Sequence, residues 1–264
     1  GSVSWLSYSD RMTELPLGVF AIAIATVILP ALSTQKALGE QASDHQDFSG
    51  TLNWALSAVL LIALPATAAL AILAEPILMT LFQYGEFTRY DVQMSAVSLR
   101  AYTLGLTAFM LVKVLAPGFY ARQDMRTPVR IGIIAMVTNM VLNPLLVFPL
   151  MWQFDVGHAG LALATSVAAW LNAALLWRGL RRDGVLLPPT QGPSWRVLRY
   201  AIAVIAMSLL LLMLLPPIEW WLGQGVWQRA LALIGVVLTG LVSYLLALFL
   251  VGIRPSQFRS PSNR

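Results

Sequence analysis

Seven long apolar runs constrain this chain more than any other feature of its sequence. A helix that crosses a bilayer needs about 20 mostly apolar residues. Only 11% of the 264 residues are charged, whereas soluble domains carry about 25%, and the mean hydropathy is +0.73. The sequence therefore predicts an all-α, polytopic membrane bundle of about seven transmembrane helices, at about residues 4–33, 51–73, 91–115, 128–147, 158–180, 195–215 and 228–251.

The connections between the runs divide the chain. A polar segment at 183–194 contains Pro188-Pro189 and Gly192-Pro193, which is typical of a linker. It separates five helices within 1–182 from two within 195–252, and the basic, Ser/Pro-rich tail at 253–264 is predicted to be disordered. The apolar piece at 77–82 is too short to span a bilayer, so we expect it to be interfacial. Asp44 and Asp47 fall in a predicted loop.

Lysine and arginine accumulate in alternate connections, which indicates the cytoplasmic side. The first helix then runs from outside to inside, the C-terminus is cytoplasmic, and an odd helix count predicts further helices before this chain. The net charge is +5. The cationic residues lie in connections at helix ends, which favours membrane lipid headgroups over nucleic acid as partners. Three tryptophans on the outer side, Trp220, Trp221 and Trp227, predict an interfacial aromatic belt. The cations are Arg122, Arg126 and Arg130 in one connection, Arg178, Arg181, Arg182, Arg196 and Arg199 around the linker, and Arg254, Arg259 and Arg264 in the tail.

Arg11 is the strongest candidate for a functional residue. A charged side chain at the centre of a membrane helix costs about 2.5–3.5 kcal/mol on insertion scales, so it normally faces a cavity or a partner. Glu14 lies three residues later, on the same helical face, and is positioned to pair with Arg11. One interpretation places both near the outer surface in solvent. The other places Arg11 in a water-filled cavity, where guanidinium grips phosphate oxygens bidentately.

Lys113 is a second cation within an apolar run. The run is predicted to break at Pro117-Gly118, with Phe119 and Tyr120 where the membrane meets water. Lysine can extend its ammonium several ångström to such an interface, so Lys113 either snorkels or faces a cavity.

Asn139 and Asn143 are one helical turn apart on the fourth predicted helix, and Thr165 lies on the fifth. Amides and hydroxyls inside membranes usually hold helices together. Their oxygens are also the ligands that hard cations take, so these residues form a candidate cation site.

Enzymatic motifs are missing from the sequence, and we predict that the chain is not an enzyme. His45 and His158 are the only histidines, and neither belongs to an HExxH pattern; no phosphate-binding loop or GxSxG motif is present. The absence of cysteine excludes disulfides and thiol chemistry.

Several blocks in order give the chain a family resemblance. They are residues 4–18 (SWLSYSDRMTELPLG), 25–33 (ATVILPALS), 81–88 (LFQYGEFT), 113–128 (KVLAPGFYARQDMRTP) and 157–165 (GHAGLALAT). The chain resembles the bacterial lipid II flippases, the MurJ/MviN family. The resemblance implies a 14-helix transporter of the MOP superfamily in the bacterial inner membrane, of which this chain supplies helices 8 to 14. It implies lipid II as substrate and a missing N-terminal half as partner.

The resemblance also implies roles for single residues. Arg11 matches a cavity arginine that the family requires, and alternating access between two lobes is expected to carry the headgroup across. Asn139, Asn143 and Thr165 match sodium ligands of some members, with an amide at Asn143 where those members have a carboxylate, so Na⁺ is a candidate cofactor. The undecaprenyl tail is expected along the last two helices. The alternatives are a related exporter of another lipid-linked oligosaccharide or a drug, and a membrane transferase or scaffold.

Overall fold

The computed structural model describes residues 2–21, 42–188 and 193–253. Within these ranges the chain is helical, without a strand, as the apolar runs predict. The helices are α1 (Ser2–Pro16), which continues as a π-helical turn (Leu17–Ala21), α2 (Ala42–Ile72), α3 (Ala74–Phe82), α4 (Arg89–Tyr120), α5 (Arg126–Phe154), α6 (Gly157–Arg182), α7 (Pro193–Leu214), α8 (Ile218–Gly223) and α9 (Val226–Leu250).

Six helices in the described ranges are long and apolar enough to cross a membrane: α2, α4, α5, α6, α7 and α9. The predicted polytopic bundle is therefore confirmed. The first predicted helix is described only as far as Ala21. Its second half, the connection that follows with Lys36, residues 189–192 of the linker and the tail from 254 lie outside the described residues.

The long helices alternate in direction. Two hydrogen bonds between α1 and α4 join positions 86 apart in both cases, so these helices run parallel. Three bonds between α4 and α6 join positions 64 to 66 apart, so α6 runs the same way. In contrast, α2 is antiparallel to α4, because Thr67 bonds Thr107 while Arg100 bonds the carbonyl oxygen of Ala71. This alternation is what successive membrane crossings require.

Helix α4 is the centre of the bundle and α5 is at its edge. In the most apolar part of each helix, 56% of the residues of α4 are buried but only 11% of those of α5. Helix α4 packs against α1, α2, α3 and α6. Small residues allow the closest of these contacts, since Gly105 of α4 lies against the backbone of Ser166 in α6.

Helices α7 and α9 are attached to the bundle through α2. The Tyr200 hydroxyl of α7 bonds Ser57 at 2.8 Å, and the Tyr244 hydroxyl of α9 donates to the Leu61 carbonyl at 2.7 Å. Both tyrosines are buried. These two helices form a pair with its own buried cluster, outside the group made by α1 to α6.

The predicted break at Pro117-Gly118 is wrong, because α4 continues to Tyr120. Proline removes one helical hydrogen bond, yet Pro117, Gly118 and Phe119 are all buried. Gly118 lies against Leu52 and Leu180, so contacts with α2 and α6 stabilise the turn that the sequence marks as a break. Phe119 is fully buried between the helices.

Three smaller predictions are corrected. Helix α2 begins at Ala42, so Asp44 and Asp47 lie in a helix and not in a loop. Trp221 is fully buried and takes no part in an interfacial belt, whereas Trp227 is 81% exposed. Ile253, assigned to the disordered tail, is buried in the α7–α9 cluster. The short apolar piece at 77–82 belongs to the nine-residue helix α3, and its interfacial position stays a prediction.

Candidate functional site

Helix α1 presents a polar stripe on its exposed side. Every member of this stripe is exposed, and the spacing of three or four residues places all of them on one helical face. The stripe consists of Ser4, Ser7, Arg11, Glu14 and Gly18. Asp10 is also exposed, next to it. A membrane helix does not present such a face to lipid, so the stripe must face water or protein.

The opposite face of α1 is fixed to α4 and α6. Trp5 donates from Nε1 to Asp91 at 2.7 Å, and the Ser9 hydroxyl donates to the Ser95 carbonyl at 2.8 Å. The Trp5 ring also packs edge-on against His158 of α6, with centroids 5.1 Å apart. Asp91 in turn belongs to a capping box with Thr88 at the start of α4. The stripe is therefore held in one orientation.

The register of α1 against α4 shows where Arg11 lies along the length of α4. An offset of 86 positions puts Arg11 level with Val97 of α4. The middle of α4 lies near residue 105, so at 1.5 Å per residue Arg11 is about 12 Å from it and Glu14 about 7 Å. No ion pair joins Arg11 to Glu14, or to any other residue in the described ranges. The guanidinium is thus free to take a ligand.

Lys113 lies on the same side of the bundle at the other end. It follows Ser95 by 18 residues, which is five full helical turns. It therefore projects from the same face of α4 against which α1 packs near Ser95. It is exposed. Counted along α4, it lies about 24 Å from the level of Arg11. The two cations therefore share one face of the bundle, but they cannot hold the same phosphate group.

Sequence reasoning missed a third cation, Arg100 of α4. Its Nη2 lies 2.9 Å from Glu75 Oε1, and its Nε donates to the Ala71 carbonyl at 3.3 Å. The pair ties the end of α2 and the start of α3 to α4. The sequence feature that could have identified Arg100 is a cation inside an apolar run. Its partner, Glu75, lies just before the short apolar piece 77–82.

Asn139, Asn143 and Thr165 lie at one depth between α5 and α6. Gly160 of α6 packs against Leu146 of α5, and with antiparallel helices this register puts Thr165 level with residues 141–142. The side-chain carbonyl oxygens of Asn139 and Asn143 are buried without a hydrogen-bond partner. Thr165 donates to the Leu161 carbonyl and keeps its lone pairs. The donors are oxygens, as a hard cation requires, but none of the three is charged.

Metal sites of another kind are not indicated. In the part of the chain that the structure describes, no group of three or more His, Asp or Glu residues could hold a metal ion.

The two described salt bridges besides that of Arg100 are exposed or half-buried and join Arg89 to Glu219 and Arg122 to Asp183.

An open apolar groove of about 320 Å³ runs between α7 and α9. Four of its six lining residues are aliphatic and two carry hydroxyls: Leu210, Leu238, Thr239, Val242, Ser243 and Leu246. It faces outward from the pair, since the side chains that attach α7 and α9 to α2 lie on the other side.

Comparison with known proteins gives a consistent result. The family model described as "Lipid II flippase MurJ" matches residues 1–251. A "Probable lipid II flippase MurJ" of Vibrio cholerae is 50% identical over 96% of this chain and 46% of its own length. One of Haemophilus influenzae is 42% identical over 96% of this chain and 49% of its own length.

A solved structure of a "Lipid II flippase MurJ, inward closed conformation" superposes with a TM-score of 0.71 at 25% identity, over 94% of this chain and 46% of that one. The chain spans about half the length of the relatives that it matches. Fold and sequence thus agree along nearly the whole chain, and we conclude that this multi-pass membrane protein belongs to the MurJ family of lipid II flippases.

Proposed function

We propose that this chain is part of a transporter that moves lipid II across the bacterial inner membrane by alternating access. The names of its relatives support lipid II as the substrate. The observation that carries the proposal is the exposed polar stripe of α1, with unpaired Arg11 at its centre. The stripe would form one wall of an aqueous cavity, and a preceding half of the transporter would form the other.

In this proposal Arg11 binds the diphosphate of the substrate. A guanidinium offers two parallel N–H donors to phosphate oxygens, and it stays charged in a site of low polarity. Glu14, one turn deeper, would orient the guanidinium or receive sugar hydroxyls. The hydrocarbon tail would remain in lipid, along the groove between α7 and α9.

Lys113 would meet the diphosphate at the other end of the same face. Because it lies about 24 Å from the level of Arg11 along α4, it would contact the headgroup in a different state of the transport cycle. Alternating access supplies such states, since the cavity opens to one side at a time.

A sodium ion between α5 and α6 is a further part of the proposal. Asn139, Asn143 and Thr165 would hold it through three oxygens, two of which have no other partner. An ion there would neutralise no protein charge, so it would serve to fix α5 against α6.

The proposal is tested at Arg11 in the full-length parent protein. Arg11→Ala should abolish lipid II transport and leave membrane insertion intact, because removing a charge makes insertion easier. Arg11→Lys should keep part of the activity, since the charge remains and the bidentate fork is lost. Glu14→Gln should have a smaller effect. Complementation of a flippase-deficient strain and protein level are measured together.

The matched control is Arg196→Ala, which removes an exposed cation of α7 far from the stripe. It should leave transport unchanged. If Arg11→Ala is well expressed and fully active, Arg11 does not bind the diphosphate and the cavity assignment fails.

A further inference from the structure

Arg229, near the start of α9, binds the ends of two short helices at once. Its Nε donates to the Trp221 carbonyl at 2.8 Å and its Nη2 to the Leu222 carbonyl at 3.3 Å, both in α8. Its Nη1 donates to the Met79 carbonyl of α3 at 3.4 Å and to Gln83 Oε1 at 3.2 Å. The C-terminal carbonyls of a helix lack intrahelical partners and carry partial negative charge, so a cation stabilises both ends.

Trp221 is buried at the same place. Its ring is fully buried, and its Nε1 has no hydrogen-bond partner, so apolar packing alone holds the ring. It belongs to an apolar cluster, called the outer cluster below, which contains residues of α1, α3, α4, α8 and α9. The fully or nearly buried members of this outer cluster are Met12, Ala74, Leu78, Met79, Val92, Ala96, Leu99 and Trp221.

The outer cluster includes the helix that carries Arg11. Met12 of α1 is one of its buried members. Tyr8, one turn before Arg11, packs against Phe82 at the end of α3 with ring centroids 4.6 Å apart, and against Phe87 at 5.1 Å. Helix α3 therefore lies between Arg229 and α1, with Gln83 bound on one side and Phe82 packed on the other.

From this arrangement we infer that Arg229 is a positioning residue for α1. It fixes the end of α3, and α3 fixes the turn of α1 that precedes Arg11. The pair α7–α9, which carries the apolar groove, is thereby linked mechanically to the polar stripe. The consequence for transport rests on the proposed function, because it assumes that the stripe binds the headgroup while the groove accepts the tail.

The experiment uses the full-length parent protein with a single cysteine at Ser7, in the stripe, and in parallel at Gln153, which is exposed at the same end of the bundle. The labelling rate with an impermeant thiol reagent at Ser7, divided by that at Gln153, measures how α1 is placed. Arg229→Gln should change this ratio by about two- to thirtyfold, the range seen for residues that couple sites. Arg229→Lys should give an intermediate ratio, because a single ammonium group cannot span the four acceptors that the three guanidinium nitrogens reach.

Arg89→Gln is the matched control. Arg89 also contacts α8, through Glu219 at 3.9 Å, but both side chains are exposed, and the ratio should not change. Gln83→Ala removes the side-chain acceptor at the end of α3 and leaves Arg229 and the Met79 carbonyl in place, so it tests this contact if Arg229→Gln does not accumulate. A role confined to folding would lower the protein level and leave the ratio unchanged.

The inference is overturned if Gln83→Ala and a well-expressed Arg229→Gln both give the parental labelling ratio. Lipid II transport is measured separately on the same preparations. If the ratio shifts but the unmutated parent moves no lipid II, the positioning role stands and the proposed function is wrong. If the parent transports lipid II and the labelling ratio never shifts, the proposed function stands and the positioning role of Arg229 is wrong.

Discussion

At the residue scale, Gly105 of α4 lies very close to the backbone of Ser166 in α6. A Cβ atom on Gly105 would lie 2.7 Å from both the Cα and the Oγ of Ser166. The Ser166 hydroxyl also donates to the Ala101 carbonyl at 2.7 Å, which locks it in place. Neither the backbone nor the bonded hydroxyl can move away without disturbing α4 or α6, so only glycine fits at this position.

Gly105→Ala should therefore destabilise the protein. Forcing an extra methyl into a packed core costs about 1–3 kcal/mol. The control is Gly132→Ala in α5, where a Cβ would meet no atom within 4 Å and should cost nothing. Thermal unfolding of the full-length parent in detergent compares the two variants. Equal unfolding temperatures would show that the α4–α6 contact is looser than described.

Single candidate residues could be named from the sequence, but their surroundings could not. Arg11 stands out because it is the one cation of the first predicted helix, whose second half is nearly all apolar. Nothing in the sequence shows that Lys113 lies about 24 Å from the level of Arg11, since that distance follows from the register between α1 and α4. The same holds for Arg229, whose four acceptors come from two helices that are separate in sequence.

At the scale of elements, helix existence was predictable and helix ends were less so. Apolar runs of sufficient length identify every described transmembrane helix. Predicted helix ends were wrong where contacts with other helices outweigh the helix-breaking preference of proline. At Pro117 the helical turn is packed between α2 and α6. Helix α5 likewise continues through Pro144 and Pro149 to Phe154.

The α5–α6 pair carries the sodium prediction. If Asn139, Asn143 and Thr165 hold an ion, replacing Na⁺ by K⁺ should slow lipid II transport by the full-length parent, and Asn143→Leu should remove that dependence. Asn143→Asp should strengthen it, because a carboxylate adds charge to neutral donors. Thr138→Val, on the same helix, is the control. Transport that is equal in Na⁺ and K⁺ would reduce the three residues to helix-packing contacts.

At the scale of the whole molecule, the alternating directions of the helices fix the relative sides of the connections. The end that carries the start of α1 also carries the connections α3–α4, α5–α6 and α8–α9. The other end carries Arg122, Arg126 and the cations around the linker. Trp177 and Trp195 lie there, each half-exposed and each with an arginine over its ring. Such pairs suit a membrane interface.

The orientation of the molecule is tested by cysteine accessibility. Cysteines at Ser43, Thr127 and Gln191 should be shielded from impermeant thiol reagents in intact cells, because the positive-inside rule places them in the cytoplasm. A cysteine at Gln224 should label. Permeabilised cells provide the control, in which all four should react. Labelling of Thr127 in intact cells would reverse the orientation and with it the cytoplasmic C-terminus.

The sequence by itself determined the class, the family resemblance and the candidate cations Arg11 and Lys113 within predicted membrane helices. These follow from local quantities, namely the length of apolar runs, the placement of charges and the order of the blocks that carry the resemblance. Only the tertiary structure decided that α1 turns its polar stripe away from α4, that Trp221 is buried, and that Arg229 joins α8 and α3. Burial and register depend on which helices pack together, and residues distant in the chain set that packing through small side chains and shared hydrogen bonds.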